Sequence, residues 1–229
     1  VHDARVLARL SSPAFLWAGV VAPPIFTVIY LVDGATRAGY DPMRHQVSLL
    51  SLGDRGWLQT LSFLVAGGLL VVFAIALRAW LGSGTGERAV PGGIAVAGAG
   101  LFLAGIFPTQ PLFGYPPGTP EGMATTVEPA SYVHVGAALL AFFGLAVAAL
   151  AMALRLWRAD SKSWALASAA AGVVVIVAFG ASGGGPSGEL VFPTTAGLIQ
   201  RIALSAGLGW VLAVAVYALR SPVSAVARS

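Results

Sequence analysis

Residues 130–154 read ASYVHVGAALLAFFGLAVAALAMAL, a run without Asp, Glu, Lys or Arg that carries the imidazole of His134 near its start. The hydrocarbon core of a bilayer is about 30 Å thick and takes about 20 residues of α-helix. Inside it every backbone N–H and C=O must bond within the protein, so a run of this kind reads as a membrane-spanning helix. A barrel strand would alternate apolar and polar side chains with period two, and no such alternation is present. Working outward, five further segments have the same character: 13–32, 57–77, 90–107, 163–182 and 198–219. The expectation is an all-α membrane protein, a compact bundle of six transmembrane helices forming a single integral membrane domain over 1–229.

Composition supports this reading. The 229 residues are 57% hydrophobic and 10% charged, where a soluble domain is about a quarter charged. Too little charge is present to cover a water-soluble surface, which excludes a soluble enzyme and a disordered tail. The absence of cysteine excludes disulfides and thiolate chemistry. The 13 Lys+Arg outnumber the 9 Asp+Glu, but the basic residues lie scattered in short loops and form no stripe that a nucleic acid would need. Their distribution instead predicts topology. Arg5, Arg9, Arg78, Arg88, Arg155, Arg158, Lys162, Arg220 and Arg228 fall on one side of the spans, and Arg37, Arg44 and Arg55 on the other. The positive-inside rule then places both termini in the cytoplasm of a bacterial inner membrane. Loops 34–56, 108–129 and 183–197 face outward, and the first helix reads as an uncleaved anchor. Small residues spaced by four (Gly93/Ala97, Gly100/Ala104, Gly144/Ala148 and Ser168/Gly172) predict close helix packing.

Residues 41–53, DPMRHQVSLLSLG, are too polar to span. Asp41 suits an N-cap, Pro42 the first helical position and Gly53 a left-handed stop, which predicts a short interfacial helix over 42–52. On it Met43, Val47 and Leu50 share one face, and Asp41, His45 and Ser48 another. The plain reading is an amphipathic surface helix with His45 toward the headgroups. Other polar residues point to the same side. His134 and Arg201 lie about one turn inside the outer ends of their helices, beside Gln200, and Gln110 follows the third helix. Buried ionisable groups at membrane depth cost about 2.5–3.5 kcal/mol on insertion scales, so they usually face a cavity or a partner. Snorkelling would account for Arg201, and helix packing for His134. An outward-facing polar pocket accounts for both together.

The stretches YDPMRHQVSLLSLG (40–53), GIFPT (105–109), YVHVG around His134 and GLIQR (197–201) resemble the prokaryotic membrane family catalogued as domain of unknown function 998. The resemblance covers most of the chain. It implies about six membrane helices with polar motifs on these segments and no defined reaction. The family pattern carries Asp after Phe-Pro-Thr where this chain has Gln110, which weakens any role needing a carboxylate there.

Several functions fit these residues. In a membrane-embedded enzyme acting on lipid or amphipathic substrates, His45 would be base or metal ligand, Ser48 nucleophile, and His134 acid or second ligand. Arg201, Gln200, Gln110 and Asp41 would bind substrate, with Arg201 holding an anionic headgroup or small anion. A catalytic zinc wants three protein ligands, so Glu128 or Glu189 would have to join the two histidines. A haem would use His45 and His134 as axial ligands. A small-solute or lipid transporter would more naturally bind at the midplane and, with six helices, work as a homo-oligomer. A structural or assembly protein would use the polar set only to fix packing. The sequence leaves metal, cofactor and enzymatic activity open.

Overall fold

The computed structural model describes residues 13–122, 124, 126–183 and 191–221. His2, Arg5, Arg9, Glu189 and Arg228, with Gly184 and Gly185 of the glycine run, lie outside them. Six long helices are present: α1 (Pro13–Thr36), α2 (Gly56–Leu81), α3 (Ala89–Ile106), α4 (Pro129–Arg158), α5 (Lys162–Ser182) and α6 (Ala196–Arg220). All six are long and apolar enough to cross a membrane. The chain is a multi-pass membrane protein. Each helix packs on its neighbour in sequence, and α6 returns to pack on α1, so the bundle closes into a ring.

Small residues set the closeness of the ring. At Gly93 on α3 a Cβ would sit 2.5 Å from the carbonyl oxygen of Gly144 on α4, and at Gly144 it would sit 2.6 Å from that of Gly93. Gly67 and Gly98 stand in the same relation between α2 and α3. Backbones meet there because no side chain intervenes, which is how helices gain packing in lipid. Helix α1 runs on through Pro23 and Pro24 and one turn beyond the expected end, because Asp33 is paired there.

The segment between α1 and α2 departs from expectation. It is not an α-helix over 42–52 but a turn at 42–45 followed by a 3-10 turn, Val47–Ser51. The reason is competition for carbonyls. A helix would use the oxygens of residues 42–45 to bond the N–H groups of 46–49. Here α6 takes them. The N–H groups of Gly197 and Leu198 donate to the oxygens of Arg44 and Met43. Arg201 Nη1 donates to those of Pro42 (2.7 Å) and His45 (2.9 Å). The Val47 N–H goes to Gln200 Oε1 at 2.8 Å. The carbonyls thereby satisfy donors that the start of α6 would otherwise leave open. Nor does the segment lie flat on a surface. Val47, Ser48, Leu49 and Leu50 are all buried, and the 3-10 turn packs on α1, α2 and α6 as a plug in one end of the ring.

Candidate functional site

Below this plug lies a cavity of about 390 Å³, within the range of small-molecule sites. Its walls are apolar, drawn from every long helix: Phe26 (α1), Phe63 (α2), Leu101 (α3), Phe142 (α4), Phe179 (α5) and Leu204 (α6). No Asp, Glu, Lys or Arg lines it among the described residues. Polar atoms come from the plug, from the loop after α3, and from α4 and α6.

Four of the lining groups retain hydrogen-bonding capacity. The Nδ1–H of His134 donates to the Phe107 carbonyl at 2.8 Å, so in the neutral ring Nε2 is the nitrogen with acceptor capacity. Phe63 packs edge-on against the same ring, 6.2 Å between centroids. Gln200 accepts the Val47 N–H on Oε1, which fixes its amide and leaves Nε2 as a donor. The hydroxyls of Ser48 and Thr109 have no protein partner among the described residues, and both residues line the cavity. Gln110 lines it too, but as a fastener. Its amide joins the carbonyl of Thr126 and the N–H of Glu128, while its own N–H donates to Ser131 Oγ. An amide supplies both a donor and an acceptor here, which a carboxylate could not.

The remaining sequence candidates form a clamp above the cavity rather than part of its lining. Arg201 is buried, and its guanidinium donates to the carbonyls of Pro42, His45 and Gly197 and to Tyr40 Oη. It also lies over the rings of Tyr30 and Tyr40, 5.7 and 5.6 Å from their centroids. Burial pushes the Tyr40 hydroxyl up to about 12 despite the neighbouring Arg201. His45 has both ring nitrogens engaged. Nδ1 accepts the Asp41 N–H at 2.9 Å, so Nε2 carries the proton and donates to the Phe113 carbonyl at 3.0 Å. Burial lowers its pKa, and Arg44 adds to this against the carbonyl bond and the charges of Asp41 and Glu121. The Asp41 carboxylate is exposed and accepts the Met43 N–H, closing the turn. His45, Tyr40 and Tyr115 form a cluster with centroids 5.3–5.4 Å apart.

The structure thus brings Ser48, His134, Gln200 and Gln110 to one cavity and leaves His45, Arg201 and Asp41 in the clamp. His45 and His134 do not offer free nitrogens to a common ligand. Among the described residues no three His, Asp or Glu side chains are grouped to hold a metal.

A second ionic cluster escaped the sequence reading. Asp33, 2% exposed, pairs with Arg37 at 2.5 Å and with Arg55, whose Nε lies 3.0 Å from Oδ1. Arg37 also donates to the carbonyls of Leu50 and Leu52 and to Tyr115 Oη, locking the plug from the α1 side. Burial raises the Tyr115 hydroxyl above its ordinary range, against the lowering effect of Arg37. The Asp33–Arg37 spacing of four was visible in the sequence, since such pairs share a helix face. An exposed Arg44–Glu121 pair ties the plug loop to the loop after α3.

The profile of a family described as "Protein of unknown function (DUF998)" matches residues 20–217, a span holding every cavity and clamp residue named above. No curated protein and no solved structure matches the chain.

Proposed function

This chain belongs to the DUF998 family, and from that premise and the cavity we propose that it binds a neutral amphiphilic molecule inside the bundle, at the end facing away from the cytoplasm. The observation that carries this is the lining. It is apolar and, among the described residues, uncharged, and unused polar groups remain on it, among them those of Ser48, Thr109, His134 and Gln200. A hydroxyl or carbonyl on the ligand would find an acceptor in His134 Nε2, a donor in Gln200 Nε2, and either in Ser48 and Thr109. An anionic head finds no countercharge on the lining among the described residues, because Arg201 stands outside it with Nη1 and Nη2 turned to protein oxygens. Burying an unpaired ion costs far more than burying a bonded hydroxyl.

If the bound molecule is also transformed, His134 is the general base the cavity offers and Ser48 the nucleophile. His45 would serve by holding the plug. A transporter reading gains less support, since the cavity reaches mid-helix at Phe26 and Phe142 but its polar groups lie at the plug end and not at the midplane. The outward orientation rests on the basic residues. Arg78, Arg88, Arg155, Arg158, Lys162 and Arg220 all lie at helix ends or loops opposite the plug.

The test is the composition of what the protein retains. Protein is excised from its native membrane in polymer-bounded discs, delipidated by gel filtration in detergent, and extracted for mass spectrometry. A neutral amphiphile should persist near one per chain. Ser48→Ala and Gln200→Leu should lower its occupancy about tenfold, the loss of roughly one hydrogen bond each. Retention of bulk phospholipid alone, in membrane proportions, refutes the proposal.

A further inference from the structure

The cavity has a closed roof and an open side. Above it the plug and the loop after α3 are tied by three bonds: His45 to the Phe113 carbonyl, Arg37 to Tyr115 Oη, and Arg44 to Glu121. The side is different. Tyr132 and Val135 on α4 line the cavity and yet are 66% and 56% exposed. A residue that is both lining and exposed marks a mouth. Ala138, one turn further along, also lines the cavity and is only half-buried. Facing them across the seam are Phe179 of α5 and Gly183 just past its end.

Depth decides what this mouth opens onto. At 1.5 Å per residue, Val135 and Ala138 lie about 9 and 14 Å along α4 from Pro129. Helix α4, with 30 residues, is about 45 Å long and exceeds the hydrocarbon core by about 15 Å, shared between its ends. The mouth therefore sits at the level where acyl chains begin. Among the described residues its rim carries no charge and, the Tyr132 hydroxyl apart, is apolar, which suits a surface in contact with chains. Further in, Phe142 of α4 and Phe179 of α5 are stacked, 4.0 Å between centroids with planes 12° apart. The stack joins α4 to α5 and gives the seam an apolar inner edge against which an extended chain can lie.

We infer that the ligand is a single-chain lipid with an uncharged hydroxyl- or carbonyl-bearing head, admitted sideways from the bilayer through the α4–α5 seam between Val135/Ala138 and Phe179/Gly183. The inference rests on the proposed reading of the cavity and adds the route and the chain. The head lies toward Ser48, His134 and Gln200, and the chain runs over the Phe142–Phe179 stack to the mouth.

The probe is radiolabelled monoolein, bound to full-length protein in proteoliposomes and chased into an excess of empty vesicles. Wild type should bind it and exchange it. Combining Val135→Trp with Ala138→Phe narrows the mouth from its rim and should slow exchange at least about tenfold at unchanged thermal stability. If that variant does not fold, Val135→Trp alone is measured, since an exposed side chain there loses no packing. Oleate at pH 9 and glycerol should both displace the label poorly, the first for its charge and the second for want of a chain. An exchange rate equal to wild type overturns the lateral route alone. Displacement by oleate or glycerol as effective as by unlabelled monoolein overturns the ligand class. Absence of any monoolein binding to wild type, with the excised protein holding a neutral amphiphile of two chains or none, overturns the single-chain inference and spares the cavity reading. Absence of both overturns the two together.

Discussion

Replacing Arg201 separates a structural cation from an anion-binding one. In Arg201→Met the side chain keeps its length and apolar stem and loses the guanidinium. Four hydrogen bonds go with it, to the carbonyls of Pro42, His45 and Gly197 and to Tyr40 Oη. Bonds to a charged group contribute about 1.5–3 kcal/mol each. Their sum overstates the loss, because other donors remain. Tyr40 Oη still reaches the His45 carbonyl at 3.0 Å, and the oxygen of Gly197 lies within α6 and keeps its helical partner. Two groups are stranded, the Pro42 carbonyl and the acceptor side of Tyr40. Against this, removing a buried cation relieves its desolvation penalty. The net expectation is a loss of about 3 kcal/mol, on the order of a hundredfold in the folding equilibrium. Arg201→Lys keeps the charge but cannot reach the carbonyls on one side and Tyr40 on the other with a fixed fork, so it should lose about half as much. The assay is reversible unfolding in mixed dodecylmaltoside–SDS micelles, followed by far-ultraviolet circular dichroism. Stability within 1 kcal/mol of wild type in Arg201→Met (roughly fivefold in the equilibrium) refutes the clamp. A parallel loss of affinity for anions would then return Arg201 to the binding role expected from the sequence.

Two further outcomes follow from single contacts. The folded state holds His45 neutral with a lowered pKa, whereas the unfolded chain titrates near the ordinary 6.5. As pH falls below about 6.5 the unfolded state takes up a proton that the folded state resists, so stability is complete above that pH and declines below it. The same unfolding assay at pH 7.5, 6.0 and 5.0 should show the decline, and His45→Gln should flatten it; an equal slope in both proteins defeats the assignment. At the α3–α4 contact, Gly93→Ala places its Cβ 2.5 Å from the Gly144 oxygen and should cost about 1–3 kcal/mol by separating the helices, while Gly92→Ala enters open space and should be neutral or stabilising. Equal melting temperatures for the two variants would show that the backbones are free to move apart.

The spans were legible because one property, the absence of charge over about 20 residues, determines them locally. The candidate site was legible only as a neighbourhood. His134, Gln200 and Ser48 were picked out by polarity at one depth, and all three reach the cavity. Gln200 and Arg201 look like one motif in sequence, yet adjacent residues on a helix point about 100° apart. Both reach the plug, but only Gln200 also lines the cavity. His45 was paired with His134 by depth, whereas its ring is held by two backbone groups, one of them in a loop 68 residues away. The short helical element between α1 and α2 is present but as a 3-10 turn over Val47–Ser51, shorter than the expected 42–52, for the same kind of reason. Its capping signals were genuine local preferences, but the carbonyls it needed were claimed by α6, 150 residues on, and no periodicity records that competition. Asp33 was missed because it follows an apolar run and reads as the first residue of a loop.

The placement of charge at this end of the bundle bears on selectivity. Asp33, Arg37, Arg44, Arg55, Glu121 and Arg201 are each tied to one another or to backbone oxygens, and none lines the cavity. Such an arrangement is costly to fold, since buried ions repay their desolvation only with good geometry. Its effect is to fix two loops over a space that remains neutral. A competitor with a carboxylate or phosphate must then shed its hydration with only hydroxyls, amides and an imidazole among the described lining groups to replace it, a deficit of several kcal/mol against an uncharged head of the same size. Discrimination against the anionic lipids that surround the protein would therefore come from charges being held out of the cavity, and introducing one cation, as in Ser48→Lys, is the change expected to reverse it.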